Sequence, residues 1–455
     1  MVGTVLVQQG QLAELQITAL AAGGDGVGRL DNGCVVFVSD AVPGDQLEVR
    51  LVRVKKGHAF GKISRLLEPS PQRVRPSCIV ADRCGSCQWQ AVDYQSQLVA
   101  KHTQVIDALT HLGGFLDPPV AAVLPQIHPL GYRNKSTFPV GRNSLGELVI
   151  GYYRKDSHRI VNLNACPVQD DRLNPLLAAA KHQMRTKGWI PYDETTHRGT
   201  LRHLSLRIGE RTGEMLLTFI VRDRQLPGLE DVAQALQEDF PALVGICINE
   251  NSLRGNAIFG EKTECIAGRP YLEDKLDDLT FAIEPTTFFQ ICTAQAEVIA
   301  RLVVAAAQAQ PEDTLIDAYC GIGTLTLPLA RAAGRLIGIE NHPRSIEQAK
   351  RNAQNNHFQN CHFVLGTVEA ELEHFPANII TLDPPRRGCE PQVLEAILKN
   401  RPRRIIYVSC NPATLARDLK ILVAGGYTLA QVQPVDLFAQ THHVESIATL
   451  NWQNR

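Results

Sequence analysis

Three short segments near the C-terminus carry side chains able to make and break bonds at carbon. Ser409-Cys410-Asn411-Pro412 sets a thiol beyond the end of a predicted strand and just ahead of a predicted helix, where the helix's positive end favours thiolate. Cys410 is therefore a candidate nucleophile. Asp383-Pro-Pro-Arg-Arg-Gly388 follows another strand, and its two prolines keep the loop out of helix and aim the carboxylate at a planar ring. Thr441-His442-His443-Val444-Glu445 precedes the last predicted strand and offers Glu445 as a base. Taken singly, a cysteine is more often a packed core thiol and a glutamate more often a solvated one. Their common placement at strand ends of one sheet is what favours catalysis.

A second pattern concerns a cofactor. Leu315-Ile-Asp-Ala-Tyr-Cys-Gly-Ile-Gly-Thr324 reads as a strand running into a glycine turn and then a helix over Leu325 to Ala330. The next strand ends at Glu340, where a carboxylate can accept bonds from both hydroxyls of a ribose. The Gly-x-Gly has no third glycine at the dinucleotide spacing, which favours S-adenosylmethionine over a pyrophosphate cofactor.

A third pattern is Cys78, Cys84 and Cys87, joined later by Cys166 before Pro167. Four thiolates suit one metal centre, and both tetrahedral zinc and an iron-sulfur cluster use that set. The longer first spacing and the closing Cys-Pro favour a 4Fe-4S cluster, with four unrelated cysteines as the plain alternative. Such a centre would close a loop of some 80 residues, by the numbering of its cysteines, and feed ligation energy into folding.

These residues need a scaffold, and 455 residues are enough for about three domains. We expect a multi-domain α/β protein: a small OB-like β-barrel over 1–70, a central α+β domain over 71–280 holding the four cysteines, and a doubly wound, Rossmann-like domain over 281–455. A helix over Tyr94 to Leu112, ended by Gly113-Gly114, is expected to pack on the C-terminal domain. The barrel strands are read at Glu14 to Thr18, Cys34 to Val38, Gln46 to Val54 and Ala59 to Ile63, between glycine turns. Forty-six Lys and Arg balance 47 Asp and Glu, so overall charge makes no case for nucleic acid or a membrane surface. The local pattern differs. Residues 1–49 hold one Arg against six acids, whereas 50–75 hold eight Lys and Arg against one, a basic edge able to meet phosphates. Arg133, Lys135, Arg142, Arg154, Lys155 and Arg159 add basic character to the central domain. No apolar run is long enough to span a membrane, and no signal peptide is visible. A cytoplasmic location is the expectation, and in that reducing compartment the 12 cysteines are not expected to pair.

Taken together, Phe288-Phe289-Gln290, Asp383-Pro-Pro-Arg, Ser409-Cys410-Asn411-Pro412, His443-Val444-Glu445 and the four cysteines resemble the RNA uracil-5-methyltransferase family. The barrel and the cysteine set are most similar to the branch that carries a TRAM domain and an iron-sulfur cluster and methylates 23S ribosomal RNA. The resemblance spans nearly the whole chain. It implies that Cys78, Cys84, Cys87 and Cys166 hold a 4Fe-4S cluster, and that Gln290, Tyr319, Thr324, Glu340, Thr367 and Asp383 line the pocket for cofactor and base. It implies catalysis by Cys410 and Glu445, with 23S rRNA or a large-subunit assembly intermediate as partner of a monomeric enzyme. The family usually reads Phe-Phe-Gln-x-Asn, and here the last position is Cys292. The alternatives are a tRNA uracil-5-methyltransferase, an exocyclic-amine RNA methyltransferase, and a non-catalytic RNA-binding iron-sulfur protein. Cytosine-5 methylation would place a cysteine in the fourth-strand turn, where this chain has Arg386.

Overall fold

The computed structural model describes residues 7–453, so the ends of the expected first and last domains lie outside the described residues. Five strands form a closed barrel: β1 (Leu12–Leu20), β2 (Gly26–Arg29), β3 (Val35–Val38), β4 (Gln46–Lys55) and β5 (His58–Glu68). Alternation puts Leu15, Ile17, Val36, Val38, Leu47 and Val49 inside. β2 falls in a stretch read from the sequence as a glycine turn. Gly26 and Gly28 lie so close to β1 that an added Cβ would meet Ile17 or Leu15 atoms at 3.0 Å or less, so the glycines are strand residues chosen for close packing.

Helix α1 (Tyr94–Ala108) follows, capped at its start by Asp93, whose carboxylate accepts from the amides of Gln95 and Ser96. Expected to run to Leu112, it instead widens into a π-turn over Leu109–Gly113 before Gly114 ends it in the left-handed conformation.

The central part is a seven-stranded sheet. Its members are β6 (Lys135–Arg142), β7 (Leu148–Tyr153), β8 (Ile160–Asn162), β9 (Leu201–Ile208), β10 (Met215–Val221), β11 (Leu243–Glu250) and β12 (Lys262–Gly268). Their order is β12-β11-β10-β9-β6-β7-β8. Helices α2 (Leu173–Thr186) and α3 (Leu229–Asp239) cover one face with an apolar core that includes Phe138, Leu204, Leu206, Leu177 and Leu236. A hairpin of β13 (Leu272–Leu276) and β14 (Leu279–Ile283) leads onward.

The C-terminal part alternates strand and helix. α4 (Thr293–Ala307) precedes β15 (Thr314–Ala318), α5 (Thr326–Ala330), β16 (Arg335–Glu340), α6 (Pro343–Asn355), β17 (Cys361–Leu365) and the short α7 (Val368–Glu371). Then come β18 (Ile379–Leu382), α8 (Pro391–Asn400), β19 (Arg404–Ser409), α9 (Pro412–Ala424), β20 (Tyr427–Val435) and β21 (Glu445–Trp452). The sheet order is β17-β16-β15-β18-β19-β21-β20, parallel except for β21, which runs antiparallel to both its neighbours. The order reverses direction between β15 and β18, so the carboxyl ends of those strands open the crevice where such sheets take ligands.

Candidate active site

Three reactive side chains meet at that crevice because the sheet register brings them there. Ser409 pairs with Ser446, so Cys410 and Glu445, one residue further on each strand, lie side by side. Asp383 follows β18, whose Leu382 pairs with Tyr407 of β19. Glu445 is 3% exposed. Burial, reinforced by the neighbouring Asp383, raises the Glu445 carboxyl well above its usual range, and burial holds Asp383 up at about 7. The pair thus favours a shared proton at neutral pH.

The Cys410 thiol is not lowered as its position before α9 leads one to expect. Burial, then the Glu445 and Asp383 carboxylates, push it up to about 11, with Arg386 alone among nearby side chains pulling it down. Asn411, not Cys410, caps α9, its side chain accepting from the Ala413 amide, while the shift on the sulfur comes from its burial and the two carboxylates. The helix's positive end is engaged one residue beyond the sulfur.

The glycine turn after β15 is built for close approach of a ligand. Tyr319, Gly321 and Gly323 all have positive φ, at 66°, 55° and 93°, and a tyrosine there is held against its own preference. A Cβ on Gly321 would point into open space. Behind the turn, buried Asp317 accepts from Thr326 Oγ1 at 2.5 Å while its Oδ1 has no partner, and burial raises its carboxyl to about 7. Glu340 takes one backbone N–H on each oxygen, from Gly321 at 3.2 Å and His342 at 2.8 Å. Each oxygen keeps lone-pair capacity for a ribose hydroxyl. Gly366 N bonds Glu340 O, which brings exposed Thr367 alongside, and Thr324 is half-buried at the start of the following helix. The Gln290 loop is tied to the central sheet, since Asn134 Nδ2 donates to the Gln290 carbonyl at 2.9 Å.

Cys292, the position at which the usual Asn is absent, sits buried at the N-cap of α4 and makes no side-chain cap. The amides of Thr293 and Ala294 donate instead to Glu210 Oε2, at 3.1 and 3.4 Å. A carboxylate from the central sheet has taken over the cap.

Cys78, Cys84, Cys87 and Cys166 line one small cavity together with Tyr152 and Leu163. Burial, with the neighbouring cysteines adding to it, raises the Cys87 thiol to about 12. All four are unpaired. Among the described residues no group of three or more His, Cys, Asp or Glu is arranged to hold a metal ion. The four sulfurs share one lining, and that is all the structure shows of the expected 4Fe-4S site.

The basic residues sort differently from the sequence expectation. Lys155 Nζ is engaged with Asp40 at 2.5 Å and the Ala81 carbonyl at 2.8 Å, fastening the central sheet to the barrel, and half-buried Arg133 donates from Nε to the Lys135 carbonyl at 3.1 Å beside Cys87 and Cys166. Arg142, Arg154 and Arg159 are exposed.

Sequence reasoning missed the front wall of the site. A cavity of about 600 Å³ in front of Cys410 is lined by Ala19 to Ala22 of the barrel, Gln104 and Asp107 of α1, and Arg386 and His443. Arg386 Nη2 lies 3.1 Å from His443 Nε2. The basic residue after Asp-Pro-Pro was a legible signal; the docking of the barrel was not, because no local pattern encodes it.

A doubly wound sheet with a glycine turn, a ribose-type carboxylate and a thiol and two carboxyls at its carboxyl edge defines a methyltransferase joined to an RNA-binding barrel. The comparisons agree. Residues 260–453 match the tRNA (Uracil-5-)-methyltransferase family and residues 6–64 the TRAM domain. A protein of Gloeobacter violaceus described as an uncharacterized RNA methyltransferase is 63% identical over 442 residues, covering 97% of both chains. One of Halalkalibacterium halodurans with the same description is 39% identical over 98% of both. The crystal structure of Pyrococcus abyssi tRNA (uracil-54, C5)-methyltransferase in complex with S-adenosyl-L-homocysteine superposes with a TM-score of 0.77 at 27% identity, covering 96% of this chain and all of that one. The chain belongs to the uracil-5-methyltransferase family of RNA methyltransferases. It is an enzyme that acts on RNA with S-adenosylmethionine as methyl donor. Among the described residues no helix is long and apolar enough to cross a membrane.

Proposed function

We propose that this enzyme methylates carbon 5 of a uridine in 23S ribosomal RNA through a covalent adduct on Cys410. The observation that carries the reading is the side-by-side placement of Cys410 and Glu445 beside Asp383. Carbon 5 of neutral uracil is too poor a nucleophile to take a methyl group from a sulfonium. Attack of the Cys410 sulfur on carbon 6 leaves an enolate that is nucleophilic at carbon 5. That carbon takes the methyl group, and S-adenosylhomocysteine leaves. Glu445, as carboxylate, then removes the carbon 5 proton, and the electron pair restores the 5,6 double bond as the thiolate departs. Asp383 and Gln290 would pair with the base edge and stabilise the enolate oxygen. Tyr319, Thr324, Glu340 and Thr367 hold the methyl donor.

Because burial, then the two carboxyls, hold the thiol up near 11, its proton must leave as the base enters. A carboxylate beside it and the Arg386 guanidinium are the groups on hand to take the proton and to stabilise the thiolate. The target uridine must leave its stack to reach the cavity, at a cost of a few kcal/mol offset by phosphate and stacking contacts. The outer barrel face supports those contacts: Phe37, His58 and Phe60 cluster with ring centroids 5.4–5.8 Å apart, flanked by exposed Arg50, Arg53 and Lys55.

Cys78, Cys84, Cys87 and Cys166 are the residues that would hold a 4Fe-4S cluster. Bound there, it would supply ligation energy that fixes the 78–87 segment against the central sheet. Ribosomal RNA is favoured by the combination of barrel and four cysteines; the likeness to the Pyrococcus abyssi enzyme, which acts on tRNA, supports tRNA as the second reading. Mapping 5-methyluridine in both RNAs from cells with and without the gene decides between them. A labelled-methyl assay with 5-fluorouridine RNA tests the chemistry: the wild type forms a denaturant-stable adduct and Cys410→Ala forms none.

A further inference from the structure

Lys135 on β6 and Arg207 on β9 are directly paired across the sheet, and their side chains share the face turned away from the apolar core of α2 and α3. Like charges opposed in this way repel. Neither forms an ion pair among the described residues. Arg207 is 4% exposed; its Nη2 donates to the Thr287 carbonyl at 3.2 Å, while Nε and Nη1 are buried without any partner. Lys135 keeps an edge toward solvent, with Nζ 5.1 Å from the Phe259 ring centroid. Arg133 lies two residues away and adds a third positive charge. The carboxylate that faces Arg207 is Asp274, and its two oxygens are engaged by the Arg211 amide and Thr293 Oγ1.

A buried cation with two idle donors is costly unless an anion arrives. The location says what anion. Thr287, which Arg207 holds, precedes Phe288, a ring 61% exposed, and Asn134, next to Lys135, holds the Gln290 carbonyl. The pair therefore flanks the Thr287 to Gln290 loop, which carries the Gln290 proposed above for the pocket of cofactor and base. A planar guanidinium fork matches two phosphate oxygens, and the half-buried Lys135 ammonium beside it adds a third donor.

We propose that Lys135 and Arg207 form a binding site for a single backbone phosphate of the substrate RNA, beside the Thr287 to Gln290 loop. The inference rests on the RNA-methyltransferase reading and adds to it a residue, Arg207, that burial would otherwise assign to structure. Burial pulls both pKa values down, Arg207 to about 10 against the Asp274 carboxylate that raises it, and Lys135 with the charges of Arg207 and Arg133 adding to burial; a bound phosphate would reverse that.

The test uses the full-length enzyme, Lys135→Met, Arg207→Met and the double variant, with binding of a ten-nucleotide oligouridylate followed against salt. Each single variant is expected to bind about tenfold more weakly at low salt, and the double variant to lower the slope of log affinity on log salt by about 0.7, the value for one single-strand phosphate contact. Arg207→Met is expected to melt no lower than wild type, because an unpaired cation is removed; Lys135→Arg should restore affinity. Unchanged affinity and slope in Lys135→Met would overturn the site, and that variant, at the solvent edge, carries the decision if Arg207→Met does not fold. Methyl transfer by the wild type to carbon 5 of uridine is measured separately. Its absence, with the salt effect intact, would remove the uracil chemistry and leave the phosphate site standing.

Discussion

Lys101 Nζ lies 2.5 Å from Asp436 Oδ1, and neither side chain has any exposure. The same lysine donates to the Phe438 carbonyl at 3.1 Å, Tyr94 OH donates to Asp436 Oδ2 at 2.7 Å, and Gln97 and Gln440 exchange two further bonds. Helix α1 thus grips the segment that delivers His442, His443 and Glu445 to the nucleophile. Truncating one partner strands a charge in the interior. Lys101→Met is expected to cost about 3–5 kcal/mol in urea unfolding and to lower methyl transfer in the fraction still folded. A loss below 1 kcal/mol would show that the grip is not energetically significant.

Glu445→Gln keeps the shape of the side chain and removes the base. Methyl transfer to carbon 5 should still occur once, and elimination should stall. The expected outcome on natural uridine RNA is a methylated, denaturant-stable protein–RNA species visible on a gel. Release of free product at the wild-type rate would take Glu445 out of the base role.

The pH profile follows from the raised groups. Catalysis needs Cys410 and Glu445 to give up protons that burial makes them hold, with Asp383 at about 7 and the thiol at about 11. kcat/KM is expected to climb from pH 6 to pH 9 with no fall on the alkaline side of that range. Stability runs the other way. Asp317 and Asp383 bind protons more tightly folded than unfolded, so their contribution is full below about pH 4 and is lost as pH rises toward 7. Asp317→Asn should therefore narrow the difference between melting temperatures measured at pH 5 and pH 8; an unchanged difference would refute the assignment.

Cys84→Ser removes one of the four sulfurs. Protein purified without air should lose its absorbance near 400 nm and unfold at lower urea, with a larger effect on RNA affinity than on methyl transfer to a short saturating substrate. Stoichiometric zinc in colourless wild-type protein would overturn the iron-sulfur assignment.

Glu210→Ala tests the replacement cap on α4. Loss of a carboxylate from two first-turn amides should cost about 1–2 kcal/mol, and adding Cys292→Asn should recover part of it. No recovery would mean that Asn at this position does something other than cap.

Much of the C-terminal sheet was legible because each parallel strand is buried on both faces and reads as a continuous apolar run, so Thr314–Ala318 and Arg404–Ser409 stand out. The barrel strands were legible by alternation, yet β2 was not, since a strand made of Gly26, Val27 and Gly28 carries no β-branched pattern and its reason is the closeness of β1. At the site, residue types and strand ends pointed to Cys410, Asp383 and Glu445. Their electrostatics did not follow from position. The thiol's environment depends on two carboxyls brought in by other strands, and the role of Glu210 depends on a contact across 83 residues of chain. Arg207 reads as a solvated strand residue until the face it occupies is known.

The barrel loop over Ala19 to Ala22 does not hang beside the catalytic sheet on a slack tether. Trp89 Nε1 donates to the Gly24 carbonyl and its backbone to Gln440, locking the loop against the segment that carries Glu445. An RNA strand held on the barrel, as proposed above, would meet the catalytic sheet at a fixed separation, so that little search entropy would remain to be lost at the second contact. On that reading, selectivity would come from the distance a folded RNA can bridge between those two anchor points.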